Sequence, residues 1–199
     1  DGPRRVTLRG ASIWHLLLIE PGPTRTHLAP LVEILRPSAR LTVVADDVRV
    51  AMFQVAGRGD IPAKDEVVRQ VRLLDHTSFQ KRQGADRALR AMGPGIGPHL
   101  ASIDPSTMSL EQRERVKGIL DGLAGPSIDT PERVAAWLAT DPQVWVELLR
   151  DDALPRRQSA AAHLARLTGA PVSFTPDADE RERSKQVDSL RRRLAGTNP

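Results

Sequence analysis

Three stretches of the chain place apolar or small residues at offsets of 0, 6, 10 and 13, with an arginine at offset 3. They are Phe79, Arg82, Ala85, Leu89 and Met92; Leu110, Arg113, Val116, Leu120 and Leu123; and Leu154, Arg157, Ala160, Leu164 and Leu167. At about 100° per residue these offsets fall within about 140° of one helix face. Each copy therefore reads as an amphipathic helix with an arginine among its contact positions. The copies begin 31 and then 44 residues apart, the period range of stacked helical hairpins rather than of coiled coils or propellers.

The same patterning extends over most of the chain. Residues 1–25 are the exception: Arg5-Val6-Thr7-Leu8-Arg9 alternates like a short strand, and Ile13 to Ile19 is an apolar run that fits a buried strand or a helix equally well. This segment is expected to be extended or irregular, closed by Pro21-Gly22-Pro23. From Thr26 onward the pattern predicts helix pairs over 26–58, 62–93, 96–125 and 130–169, with a charged capping helix over 176–195. Ser38 is the expected N-cap of a helix carrying Leu41, Val44, Val48, Met52 and Val55. Ser109-Leu110-Glu111-Gln112 has the spacing of a capping box, and Thr130-Pro131 and Asp141-Pro142 each set proline at the first helical position. The predicted fold is all-α, a short right-handed α-solenoid of antiparallel helix pairs spanning 26–199.

These residues resemble HEAT-type helical repeats. Such units carry a carboxylate in the interhelix turn and an arginine early in the second helix. Here Asp75 precedes Arg82 and Asp151 precedes Arg157, whereas Arg113 follows a longer turn from Asp104-Pro105. Leu167-Thr168-Gly169 followed by a charged last helix is similar to HEAT-domain proteins of planctomycete-type bacteria. The resemblance covers about residues 67–195 and implies a scaffold or partner-binding surface, without naming an activity. In it, Asp75, Arg82, Arg113, Asp151 and Arg157 form a structural ladder, the carboxylates accepting charge-assisted hydrogen bonds that fix the stacking register.

Composition narrows the picture further. Three Phe, three Trp and no Tyr leave the core to Leu, Val, Ile and Ala, the filling of helix-helix contacts. With no cysteine there is neither a disulfide framework nor a thiolate metal site. No apolar run approaches a membrane span, so the chain reads as soluble and no membrane partner is expected. The chain starts at Asp1, which is read as a fragment or a processed product; the compartment stays open. The net charge of +4 is concentrated in residues 67–125, which hold nine basic and six acidic side chains.

Candidate chemistry is sparse. His15, His27, His76, His99 and His163 never stand three or four residues apart, and no metal, cofactor or nucleophile motif is present, so the chain is expected to be non-enzymatic and to bind no cofactor. His163 reads as a helix-surface residue, and His76 and His99 as turn residues. Gly93-Pro94-Gly95-Ile96-Gly97 lacks the strand and lysine of a phosphate loop and reads as a connection. Trp137 and Trp145 are read as interhelix core, the alternative being that one anchors a groove. The candidate partner surface is Arg87, Arg90, Lys117, Trp137, Trp145 and Arg166, facing a protein or another domain of the parent chain. The alternative is a nucleic-acid surface of Lys81, Arg82, Arg87, Arg90, Arg113, Arg115 and Lys117, against which Asp86, Glu111, Glu114 and Asp121 are interleaved.

Overall fold

The computed structural model describes residues 7, 10, 12–37, 40–58, 62–124 and 129–195, and among them there is helix and no strand. The chain divides into two compact units, Asp1–Arg58 with Asp141–Pro199, and Gly59–Thr140. The strand-like alternation of residues 5–9, the Ser38 cap and the stops at Gly59, Gly125 and Gly196 lie outside the described residues, wholly or in part.

The first unit opens with α1 (Ile13–Ile19), capped where Ser12 accepts the His15 N–H. The expectation of an extended segment up to residue 25 is therefore corrected over its described part. The buried residues of this run follow the helical period and not strand alternation: His15 and Leu18, three apart, are buried with Leu17, while Ile19 is only half-buried. Pro21-Gly22-Pro23 starts a helix instead of ending one. α2 (Pro21–Pro23) runs through a π turn (Thr24–Leu28) into α3 (Ala29–Leu35). Pro30 explains the wider turn. It has no N–H for the carbonyl of Thr26 and its ring crowds that carbonyl, so the chain widens and the Ala29 N–H reaches back to Thr24.

α4 (Leu41–Arg58) follows, burying Leu41, Ala45, Val48, Met52 and Ala56. The unit is completed from the far end of the chain by α10 (Pro142–Leu148), α11 (Leu154–Thr168) and α12 (Glu180–Ala195). α10 packs against α1, α11 and α12, and α4 packs against α11. Two of these contacts, α1 with α10 and α4 with α11, join segments about a hundred residues or more apart in sequence, unlike the stack in chain order expected over 26–199. Trp145 is fully buried at the centre, its ring stacked on His163 at 3.8 Å and met edge-on by Phe53 at 6.4 Å. Gly169 ends α11 with φ +67°, the left-handed conformation that glycine adopts without a Cβ penalty.

The second unit is built in chain order. α5 (Lys64–Leu73) pairs with α6 (Phe79–Ala91), a short 3-10 turn (Pro94–Ile96) leads to α7 (Gly97–Ala101), and α8 (Leu110–Ala124) packs on α5, α6 and α7. α9 (Pro131–Leu138) lies against the 3-10 turn and α7. Val67, Val71, Leu74, Ala85, Leu89, Ile96, Leu100, Val116 and Ile119 form one core. The capping box is present: Ser109 N–H donates to Gln112 Oε1 at 2.9 Å and Gln112 N–H to Ser109 Oγ at 3.2 Å. Gln112 Nε2 also donates to the carbonyl of Val71, so one side chain both caps α8 and ties it to α5.

Candidate functional site

The repeated arginine has a defined task, although not the one its spacing suggested. Arg82 Nη1 donates to the carbonyls of His76 and Thr77, at 2.8 and 3.0 Å. Arg157 Nη1 donates to those of Asp151 and Asp152, at 2.9 and 2.7 Å. In both copies the guanidinium binds the backbone six and five residues earlier, where the preceding turn leaves carbonyls without helical partners. Asp75 is exposed and is not the acceptor, so the ladder is corrected at that position. Asp151 does contribute, but by accepting the Ala153 N–H at 3.0 Å; the equivalent acceptor in the other copy is His76 Nδ1, which takes the Ser78 N–H at 2.9 Å. Arg157 is buried and adds a third bond, from Nε to the carbonyl of Pro176. Arg113 is exposed, and in that copy Glu111 draws its neighbours, lying 3.2 Å from Arg82 Nε and 2.9 Å from Arg115 Nη2.

The candidate partner residues are distributed between the two units. Arg87, Arg90 and Lys117 are exposed in the second. Arg90 pairs with Asp86 and reaches from α6 to the carbonyl of Gly118 on α8, and its Nη1 occupies the space that a side chain at Gly122 would need. It acts as a tie between helices. Trp137 lies across Gly97 so closely that its six-membered ring fills the position of a Cβ there. In the first unit, Trp145 is removed from the partner surface altogether by its burial, because an apolar ring of that size gains most by leaving water. Arg166 donates to the carbonyl of Ala56 and holds α11 to α4. His163, expected on the surface, is fully buried beneath Trp145.

Several titratable groups make contacts between helices. His15 Nε2 lies 2.9 Å from Asp141 Oδ2, an electrostatic contact between α1 and the cap of α10. Glu147 is buried yet compensated by Arg150 and Arg191, and Arg191 further reaches Glu20 and the carbonyl of Ile19. Burial holds the His99 imidazole below its ordinary range, the nearby Lys64 charge acting in the same direction and the Pro62 carbonyl opposing them. The Asp104 carboxyl is held low by the backbone and side chain of Ser106. Among the described residues no group of three or more potential ligands gathers around a metal position, and no helix is long and apolar enough to cross a membrane.

What the patterning missed is an outward apolar face on α3. Leu31, Ile34 and Leu35 are 59, 74 and 86 % exposed, while Ala29 and Val32 on the opposite side pack into the core with Leu41 and Ala45. The signal was present as a helix apolar on both faces, a pattern that belongs to a covered helix. Neither a protein-family model, nor a curated protein, nor a solved structure matches this chain.

Proposed function

We propose that this chain is a non-enzymatic helical module that docks a protein partner through the outer face of α3. The observation that carries the reading is the clustering of Leu31, Ile34 and Leu35 on one side of a two-turn helix whose other side is already buried. Single exposed leucines are ordinary, but three adjacent ones make a patch whose hydration costs free energy until something covers it. The HEAT-type reading accompanies this proposal for α5 to α8, where successive helices pack in chain order. A right-handed solenoid is the architecture that such repeats would build.

Photocrosslinking from position 35, with position 132 on exposed Glu132 as control, tests the docking reading in cells that make the protein. The expected result is a discrete protein adduct from position 35 that is lost in Leu31→Glu and Ile34→Glu. Equal labelling from both positions, or none from position 35, overturns it. Fluorescence anisotropy with duplex and single-stranded nucleic acid, between about 50 and 200 mM salt, tests the alternative. The pairing of Arg82 and Arg115 with Glu111, and of Arg90 with Asp86, supports an outcome without tight binding.

A further inference from the structure

We infer that the partner taken by the outer face of α3 is an amphipathic helix that carries carboxylates beside its apolar stripe; this rests on the docking reading above and specifies what docks. Leu31, Ile34 and Leu35 stand at the i, i+3, i+4 spacing by which side chains of one helix form a ridge. A ridge of this kind fits the groove of another helix. The side of a helix has its backbone groups bonded along its own axis, so an extended segment laid on it would leave its own N–H and C=O groups unpaired. No strand is present among the described residues, so no sheet edge is offered to such a segment either. The seven residues of α3 rise about 10 Å, which limits the contact to about two turns of the partner.

Charge specifies the rest. Arg36 follows Leu35 directly, and Arg40 stands at the start of α4, whose Leu41 packs in one cluster with Ala29 and Val32. Both arginines are exposed, and among the described residues neither has an ion-pair partner. The carboxylates of the same two helices do not offset them. Asp46 is engaged by Arg25, Glu33 is half-buried with Oε1 sealed from water, and Asp47 lies nearly two turns along α4 from Arg40. Arg40 carries a second sign: its φ is +41°, alone positive among the described non-glycine residues, in the region that favours glycine. The chain therefore holds a cation where its backbone favours the residue without a side chain. An apolar ridge edged by unpaired cations is complementary to an apolar stripe edged by carboxylates. The outer face of a second α3 supplies no carboxylate for these arginines, and two cations are fewer than the roughly four to eight of a polybasic membrane site.

The test is fluorescence anisotropy of two labelled helical peptides that share one leucine stripe, titrated with the full chain to about 1 mM at an ionic strength of about 0.1 M. One peptide has glutamate beside the stripe and the other lysine. The glutamate peptide is expected to saturate and to bind about tenfold more tightly than the lysine peptide. That order should reverse when Arg36→Glu and Arg40→Glu are combined, and binding should be lost in Ile34→Glu and unchanged in Arg192→Glu on α12. Arg40→Gly separates binding from folding, because it should raise the urea midpoint while weakening the glutamate peptide about threefold. Equal affinity of the two peptides, or an order unchanged in the double variant, overturns the inference and leaves the docking reading, which the crosslink from position 35 decides on its own. No saturable binding of the glutamate peptide overturns it too. In that event capture by vesicles containing about 30 % phosphatidylserine assigns the face to a membrane, and self-association lost in Ile34→Glu assigns it to a second copy.

Discussion

At the scale of single residues, two of the three repeat copies encode a bond between a guanidinium and a turn, and that gives them measurable consequences. Arg157 satisfies three carbonyls from a buried position, so Arg157→Met strands them and should cost about 2–4 kcal/mol, read as a lower chemical-denaturation midpoint. His76 stands where the other copy has Asp151, and a carboxylate is the better acceptor for a turn N–H. His76→Asp should be neutral or stabilising, and His76→Ala should cost about 1 kcal/mol. His99 adds a dependence on pH. Its folded form resists protonation, so as pH falls below about 6.5 the unfolded chain takes the proton first. Stability is complete above that pH, declines through the lower value of the folded imidazole and then levels off. Thermal melts from pH 7.5 to 5 should show the decline, and His99→Gln should flatten it; an unchanged slope contradicts the assignment. The arginine itself was legible because its position in the helix is local. Its acceptors were not, because a carboxylate in a turn and a carbonyl in the same turn sit at the same distance along the sequence.

At the scale of elements, the cap and helix-end signals named below hold where both partners are close in sequence, whereas the Pro21-Gly22-Pro23 stop, equally local, does not. The Ser109 and Gln112 box, the proline starts at Pro131 and Pro142 and the Gly169 stop all depend on residues within one or two turns. The first position of each repeated stripe was misjudged, since Phe79, Leu110 and Leu154 are exposed. Each is the first residue of its helix, and side chains there lean toward the N-terminus, off the end of the packed surface. Glycine was equally ambiguous, and two positions separate its roles. At Gly97 the Trp137 ring occupies the space of a Cβ, so Gly97→Ala must displace α9 or the ring and should cost more than about 2 kcal/mol. At Gly84, in the middle of α6, nothing lies near, and Gly84→Ala should gain about 0.5–1 kcal/mol from helix propensity. Paired urea melts decide this, and destabilisation at Gly84 would show that α6 has an additional close neighbour.

At the scale of the whole molecule, the difference between a stack and a closed unit lies in which helices depend on one another. In a stack each hairpin touches only its neighbours, so loss of a terminal helix frays the end and leaves the rest. In the first unit α12 packs on α10, which in turn packs on α1, and Arg191 reaches from α12 to Glu20 and Ile19 at the end of α1. Periodicity could not have revealed this, because it specifies an apolar face and says nothing about which distant face it meets. Removing residues 177–199 takes away Arg191, Val187 and Leu190 together, leaving Glu147 without one of its two compensating arginines and uncovering the side of α10 that packs on α12. Hydrogen exchange should then show the α1 amides losing protection, although about 160 residues separate them from the cut. Amides of α5 to α8, whose core is drawn from within their own unit, should hold theirs. If α1 keeps its protection while only α11 frays, the terminal helix is a cap on a stack and the closed arrangement of the first unit is wrong.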